Sequence, residues 1–391
     1  MVLPREWTSC TIKDIQSVEV QNGFSPQCVE YETARKSLSL GALTGFSLDL
    51  TQEKFISEKA ELPLNSMLHK NDILVSRSNT KDKVGRAAVV LEDVVEYYYP
   101  DLMMRFQVDS QKADCRYVAM YLQSPMGRNY FMSHAAGTST SMVKINKNVL
   151  ESFPMVLPPL AEQKKIAETL SVWDSAIEKM EKLIENKEML KKHVFFELTS
   201  SQQQSWEKHI LSEFLIPGDK KTVSDTSAYK KITVKLHKKG IEFNQQTREM
   251  ADTRPFYVRR KGELIIGKQN YFNGSIAIVD ELYDGSICSN AIMSFKIKNV
   301  NSFFLYELLS DESYLHKHEM LANGTGQKEL SEKDFLNFEI YVPSPKEQNR
   351  IAEILNIYEK ELSLHKQQLA LYKKQKQGLM QKLLTGEWRV K

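Results

Sequence analysis

Leu157-Pro158-Pro159-Leu160-Ala161-Glu162-Gln163-Lys164-Lys165-Ile166-Ala167-Glu168 opens a long apolar-periodic stretch, and Val342-Pro343-Ser344-Pro345-Lys346-Glu347-Gln348-Asn349-Arg350-Ile351-Ala352-Glu353 opens another 185 positions later. Glu-Gln-x-x-Ile-Ala-Glu falls at the same place in both copies. A solenoid repeat has a period of roughly 20–50 residues, so a repeat this long implies two similar halves within the 391 residues. Such a chain is expected to have approximate two-fold symmetry and to present two similar surfaces to a partner.

Beyond each motif, alternating steps of four and three trace an apolar seam. The first seam is Ile166, Leu170, Trp173, Ile177, Met180, Ile184, Lys187, Lys191, Val194 and Leu198; the second is Ile351, Leu355, Tyr358, Leu362, His365, Leu369, Tyr372, Lys376, Leu379 and Leu383. Glu, Lys, Gln and Asn fill the other positions, as an exposed face requires. Ser344-Pro345-Lys346-Glu347 has the form of a capping box with proline at the first helical position, and Gly386 is placed to stop the second helix. Each helix should run about 40 residues, roughly 60 Å at 1.5 Å per residue. A single apolar stripe of that length needs a partner. Two matched helices in one chain satisfy each other, so an antiparallel intramolecular pair is expected over a homodimeric coiled coil. Lys187, Lys191, His365 and Lys376 interrupt the seam and are read as register devices or as places where the helices diverge.

The segments ahead of the helices also rhyme. Asn71–Asn79 matches Gly262–Asn270, each a short buried strand ending in a polar, basic loop; Gly85–Val90 matches Gly274–Val279, and Leu102–Val108 matches Ala291–Ile297. A helix over 117–122 or 304–309 leads to Gly137 or Gly324, and Phe153–Leu157 or Phe338–Val342 closes each half. Trp7, Ile12 and Asp14 find echoes in Trp206, Leu211 and Glu213. The spacing shrinks from 199 at the tryptophans to 185 at the helices, so the first half carries about 14 more residues. The fold class expected is α+β: two similar mixed α/β domains separated by two long helices forming an antiparallel coiled coil. The boundaries are 1–157 and 201–342 for the domains, with 158–200 for the first helix and 343–391 for the second helix and tail.

Composition narrows the function classes. Lys and Arg total 53 against 50 Asp and Glu, a formal charge of +3, so any nucleic-acid surface must be a local patch. The four cysteines (Cys10, Cys28, Cys115, Cys288) are scattered, which argues against a zinc site or a disulfide framework. The opening Met-Val-Leu-Pro-Arg-Glu-Trp lacks the apolar core of a signal peptide, and no apolar run is long enough for a membrane span. A cytoplasmic protein is expected.

Pro158-Pro159-Leu160-Ala161-Glu162-Gln163, its counterpart at 343–348, and the terminal Gln381-Lys382-Leu383-Leu384-Thr385-Gly386-Glu387-Trp388-Arg389-Val390 together resemble the specificity subunit of type I restriction–modification systems. The resemblance covers the whole chain in the family's order: target-recognition domain, helix, target-recognition domain, helix. Two departures stand out: Phe195-Phe196-Glu197-Leu198-Thr199-Ser200 ends the first helix without Leu-Thr-Gly, and Pro343-Ser344-Pro345 replaces a Pro-Pro pair. The resemblance implies a non-catalytic reader of double-stranded DNA, each domain taking one half of a split, asymmetric target. The helix pair would space the halves and dock two modification (methyltransferase) subunits carrying S-adenosylmethionine. A restriction subunit would add ATP- and Mg-dependent translocation and cleavage. This chain itself would hold no cofactor or metal.

The residues agree with that reading. The chain lacks an Asn/Asp-Pro-Pro-aromatic motif, a Gly-rich S-adenosylmethionine loop, a phosphate loop, a Gly-x-Ser-x-Gly elbow and a His-Glu-x-x-His pair. Candidate DNA contacts in the first half are Ser76, Arg77, Ser78, Asn79, Lys81, Lys83 and Arg86, whose types suit phosphates and base edges. In the second half they are Lys230, Lys231, Lys238, Lys239, Lys268, Gln269, Asn270 and Tyr271, with further positive charge from Arg259-Arg260-Lys261. Thr138, Ser139, Thr325 and Gln327 sit in Gly-containing segments with donors for a phosphate backbone, where a plain turn is an equal reading. Tyr97-Tyr98-Tyr99 is expected in a strand or at an interface rather than stacked on bases. Two other classes stay open: a structural or RNA-binding coiled-coil adaptor, and a methyltransferase or nuclease with unrecognised motifs.

Overall fold

Ile73-Leu74-Val75-Ser76 and Leu264-Ile265-Ile266-Gly267 are continuous apolar runs, and each becomes an inner strand of a four-stranded antiparallel sheet. In the computed structural model, which describes residues 4–45, 47–63, 66–137, 142–200, 206–244, 254–321 and 329–390, the chain divides into two units. One comprises residues 1–183 and 365–391, the other 184–364.

In the first unit the sheet order is Gln16–Asn22, Met103–Val108, Ile73–Ser76, Ala87–Val89; in the second it is Leu215–Pro217, Ile292–Ile297, Leu264–Gly267, Ile276–Ile278. The registers agree: Met103 faces Ser76 as Ile292 faces Gly267. Thr8–Thr11 pairs with Pro154–Leu157, and Glu207–Ile210 pairs likewise with Glu339–Val342. The units differ in what flanks this frame. The first has a second four-stranded sheet (Cys28–Val29, Glu53–Ile56, Lys36–Leu38, Tyr97–Tyr98). The second has two antiparallel strand pairs, the hairpin Ile232–Val234 with Ile241–Phe243 and the long-range pair Phe256–Val258 with Ile287–Ser289. Tyr97 and Tyr98 accordingly lie in a strand and donate to Glu53 (2.7 Å) and Glu96 (3.1 Å), while Tyr99 is buried.

The repeated motif acts on its own unit. Gln163 is buried: its Oε1 accepts from the Asp114 backbone N–H (2.9 Å), and its Nε2 donates to the carbonyls of Pro158 (2.9 Å) and Lys112 (3.1 Å). Gln348 repeats this with Asn301 N–H (2.9 Å) and the Pro343 carbonyl (2.9 Å). Asp114 and Asn301 are the N-caps of the helices Cys115–Gln123 and Ser302–Ser310. Each glutamine therefore ties the start of a long helix to the start of a domain helix. Ile166 and Leu170, like Ile351 and Leu355, then enter their unit's core, each side chain worth about 2 kcal/mol in buried apolar area. Trp7 and Trp206 close those cores at matching positions.

The glutamates of the motif differ. Glu162 accepts from Trp7 Nε1 (3.3 Å) and from both Nε and Nη2 of Arg389 (2.6 and 2.8 Å), whereas Glu347 holds its own helix neighbour Arg350. Gly386, at φ 75°, ends the second long helix as expected, and a Cβ there would lie 2.8 Å from Pro4.

The long helices run Leu160–Ser200 and Pro345–Leu384, with the Glu347 N–H donating to Ser344 Oγ (3.4 Å) at the second start. None of the seam positions is exposed. Within the first unit the paired residues run in opposite directions: Trp173 meets Tyr372 edge-on at 5.9 Å, Asp174 pairs with Lys376, and Glu181 pairs with Lys373 (2.6 Å). Within the second, Lys187 pairs with Glu361 (2.7 Å) and Lys191 with Glu359 (2.8 Å) and Glu307 (2.7 Å). The charges that interrupt the seam thus fix antiparallel register through opposite charges. No described helix is long and apolar enough to cross a membrane.

Candidate nucleic-acid interface

In each unit the inner strand delivers a basic residue to the same place. Arg77 N–H donates to the Leu102 carbonyl (2.8 Å) and Lys268 N–H to that of Ala291 (3.0 Å). The carbonyls of Arg77 and Lys268 accept from Ile145 N–H and Leu330 N–H, both at 2.9 Å. The backbone beneath the two loops is therefore the same, while the side chains beyond it are arranged differently.

In the first unit Ser78–Asn79 pairs antiparallel with Val143–Lys144, which buries Ser78. Ser76 is fully buried in the sheet. Asn79 spends its carboxamide locally, donating to Ser76 Oγ (3.4 Å) and accepting from Thr80 N–H (2.9 Å). Ser76 and Ser78, expected to touch DNA, are thus buried instead, while Asn79 is half-buried with its carboxamide engaged in the loop. Arg77 is half-buried with a guanidinium N–H on the Asp101 carbonyl (3.3 Å). The exposed candidates are Lys81 and Lys83, flanking exposed Asp82 on a turn in which Lys83 N–H and Val84 N–H both reach the Thr80 carbonyl (2.9 Å). Gly85, at φ 73°, comes next; a Cβ there would lie 2.3 Å from the Phe131 ring. Half-buried Arg86 completes the group. Sequence reasoning missed Arg128, which comes from the helix Pro125–His134 and donates to the Asp82 carbonyl (3.0 Å). Burial, and then the nearby Arg86 charge, push its guanidinium below the usual arginine range. Thr138 and Ser139 lie outside the described residues.

In the second unit no such strand pair covers the loop among the described residues, and Gln269 and Asn270 are exposed. Tyr271, expected among the DNA contacts, is wholly buried: its hydroxyl donates to the Leu309 carbonyl (2.8 Å) and its ring meets Phe335 at 5.3 Å. Lys238 is also turned elsewhere. His237 and Lys238 take left-handed backbone angles (φ 57° and 58°), and their N–H groups donate to Asn273 and Gly274. The Lys238 ammonium is half-buried; burial holds it below the usual lysine range, only partly offset by the nearby Asp311, Glu307 and Glu312. Arg259 is buried too, donating to Cys288 Sγ (3.0 Å) and the Asp219 carbonyl (3.2 Å). Lys230 and Lys239 are exposed, and Lys230 sits 5.0 Å over the Phe243 ring. Thr325 and Gln327 lie outside the described residues.

Lys231, Lys268, Gln269 and Asn270 are brought together around a cleft of about 190 Å³. Thr233, Asn244 and Arg254 join them, none of which the sequence singled out. They arrive from the hairpin 232–243 and from its far side, so only the folded chain assembles them. Among the described lining residues there are three cations and no carboxylate.

Comparison with known proteins gives a consistent result. The family profile described as type I restriction modification DNA specificity domain matches twice, over residues 4–187 and 203–372. A Methanocaldococcus jannaschii protein provisionally named the type I restriction enzyme MjaX specificity subunit is 25% identical, across 100% of this chain and 95% of its own length. The type I restriction enzyme MjaVIII specificity subunit of the same organism is 25% identical over 70% of each chain. Among solved structures, a type I restriction-modification S subunit from M. genitalium shares the fold at TM-score 0.61 and 18% identity, covering 98% of both chains. A chain from a structure of type I complex assembly and conformational transition aligns at TM-score 0.51 and 14% identity, over 99% of this chain and 100% of the other.

Proposed function

The chain belongs to the family of type I restriction modification DNA specificity proteins, with two such domains, and from that premise we propose that it reads a split, asymmetric duplex sequence, one half-site per unit, without catalysing a reaction itself. The observation that carries this reading is the pair of loops at 77–86 and 268–270. They leave the same backbone frame yet carry different side chains, as two readers of different half-sites require.

The two long helices serve as spacer and as docking platform for two methyltransferase subunits. Support comes from their outward faces, where apolar side chains stand exposed: Val172 and Leu371 in the first unit, Met189, Phe196, Ile357 and Leu364 in the second. S-adenosylmethionine then belongs to the methyltransferase subunits, and ATP with Mg to a restriction subunit. The working compartment is the cytoplasm.

Co-purification with the methyltransferase subunit encoded beside this chain, followed by methylome sequencing of a host expressing both, tests the proposal. Adenine methylation at one split, asymmetric motif that depends on this chain is the expected result. A stable complex without methylation would remove target reading, and no complex with no new methylation would favour an adaptor.

A further inference from the structure

We infer that the cleft in the second unit is a base-reading notch, in which the carboxamides of Gln269 and Asn270 engage an adenine of that unit's half-site while Lys231, Lys268 and Arg254 take the flanking phosphates. The inference rests on the DNA-reading role proposed above and adds the residues and the base.

Neither carboxamide has a hydrogen-bond partner among the described residues, although the backbone that carries them is pinned on both sides. Lys268 uses both its N–H and its carbonyl, Asn270 N–H donates to Gly267 (3.2 Å), and the Asn270 carbonyl accepts from Ser275 N–H (3.0 Å). With the backbone already fixed, binding has only the two side chains to order. A carboxamide offers a donor and an acceptor side by side. That pattern fits the N7 acceptor and N6 donor of adenine in the major groove, whereas guanine presents two acceptors there.

The charges around the amides suit a polyanion. The described lining has three cations and no carboxylate; Lys231 and Arg254 each also engage a neighbour, and the Glu329 carboxylate lies 3.8 Å from the Lys268 ammonium. Lys231 is held at the rim with its ammonium 4.8 Å over the Phe256 ring. The cleft is smaller than the roughly 300–1,000 Å³ typical of small-molecule sites, a size suited to the edge of a base rather than an enclosed ligand. At the matching place in the first unit, Asn79 is already bonded within its own loop. The exposed pair of unbonded amides is thus a feature of the second unit's loop among the described residues.

The test is selection from a random duplex library by the full chain in complex with its methyltransferase subunits. The half-site left intact by Arg77→Ala identifies the second unit's half. The Gln269→Ala/Asn270→Ala double variant should lose adenine preference at one or two adjacent positions of that half, by about tenfold or more, and keep the other half unchanged. Both side chains are exposed and unbonded among the described residues, so the variant should melt with the parent. Lys231→Ala should instead weaken binding to every sequence alike, with the logarithmic salt dependence shallower by about one. A double variant with the parent's full preference, or a parent half-site without adenine, overturns the inference while leaving DNA reading intact. A parent with no preference for any split sequence overturns DNA reading itself, and this inference with it.

Discussion

Ser78 and Gln269 occupy equivalent positions, two residues past matched strands, yet one hydroxyl is buried under a strand pair and the other side chain stands in solvent. The frame beneath them repeats almost bond for bond, from the sheet order to the buried glutamines. The first unit covers its loop and leaves long cations at the surface. In the second, no strand pair covers the loop among the described residues, and Gln269 and Asn270 stand exposed beside a polar cleft. A scaffold whose backbone bonds are satisfied internally can change its loop chemistry without cost to its core, so one fold can serve two sequences.

The largest effect that sharpens this comparison is in the helix seam of the second unit. Leu362→Asp buries a carboxylate in place of a core leucine and should cost at least about 4 kcal/mol, seen as loss of the cooperative melt. Leu364→Asp, two residues away on the exposed face, should melt within about 0.5 kcal/mol of the parent and instead weaken methyltransferase-subunit binding. Equal melts for the two variants would break the seam assignment.

Next come the glutamines. Gln163→Leu strands three backbone groups and Gln348→Leu two, at about 1–3 kcal/mol for each orphaned group. Denaturant titration should therefore show the first-unit variant to be the less stable. Arg77→Ala should relax one half-site by about tenfold to a hundredfold with the other unchanged; equal losses at both would mean a general phosphate contact.

The smallest effect tests two matched carboxylates. Asp14 accepts from the Thr11 hydroxyl and N–H (both 2.7 Å), and Glu213 accepts from His209 (2.9 Å) and Ile210 N–H (3.0 Å). In each, the side-chain hydrogen bond first and the backbone one second hold the carboxyl below its ordinary range. A folded pKa below the unfolded one gives stability that is present above the unfolded pKa and lost as pH falls through the folded pKa. The melting difference between parent and Asp14→Asn should thus be present at neutral pH and vanish in acid. Glu213→Gln should behave alike, and a difference that persists in acid would deny the carboxylate its role.

The fold was legible because it is written in periodicities: the 3.5-residue seam, the apolar strand runs and the repeated motif each constrain local structure directly. The motif's meaning, a glutamine reaching a domain helix cap, was not legible, because Asp114 and Asn301 lie 49 and 47 positions upstream. The site was less legible. Ser78 is buried by Val143–Lys144, some 65 positions along the chain, and Tyr271 turns inward from a polar loop to reach Leu309. Arg128, Asn244 and Arg254 come to their sites from segments that carry no local signal. Residue type announces capacity for contact, while burial and partners are decided by distant chain.

Glu162 fastens Trp7 and Arg389 to the same helix start, so the unit that begins first is finished from residues 365–391. On the ribosome this reverses the usual order of domain completion. The second unit, one continuous span, has all its residues once Leu364 emerges, whereas the first waits with an open core for Met380, Leu383 and Leu384. A ribosome that stops early would release a polypeptide with one finished reader and one unfinished, its missing wall visible to the cell's proteases.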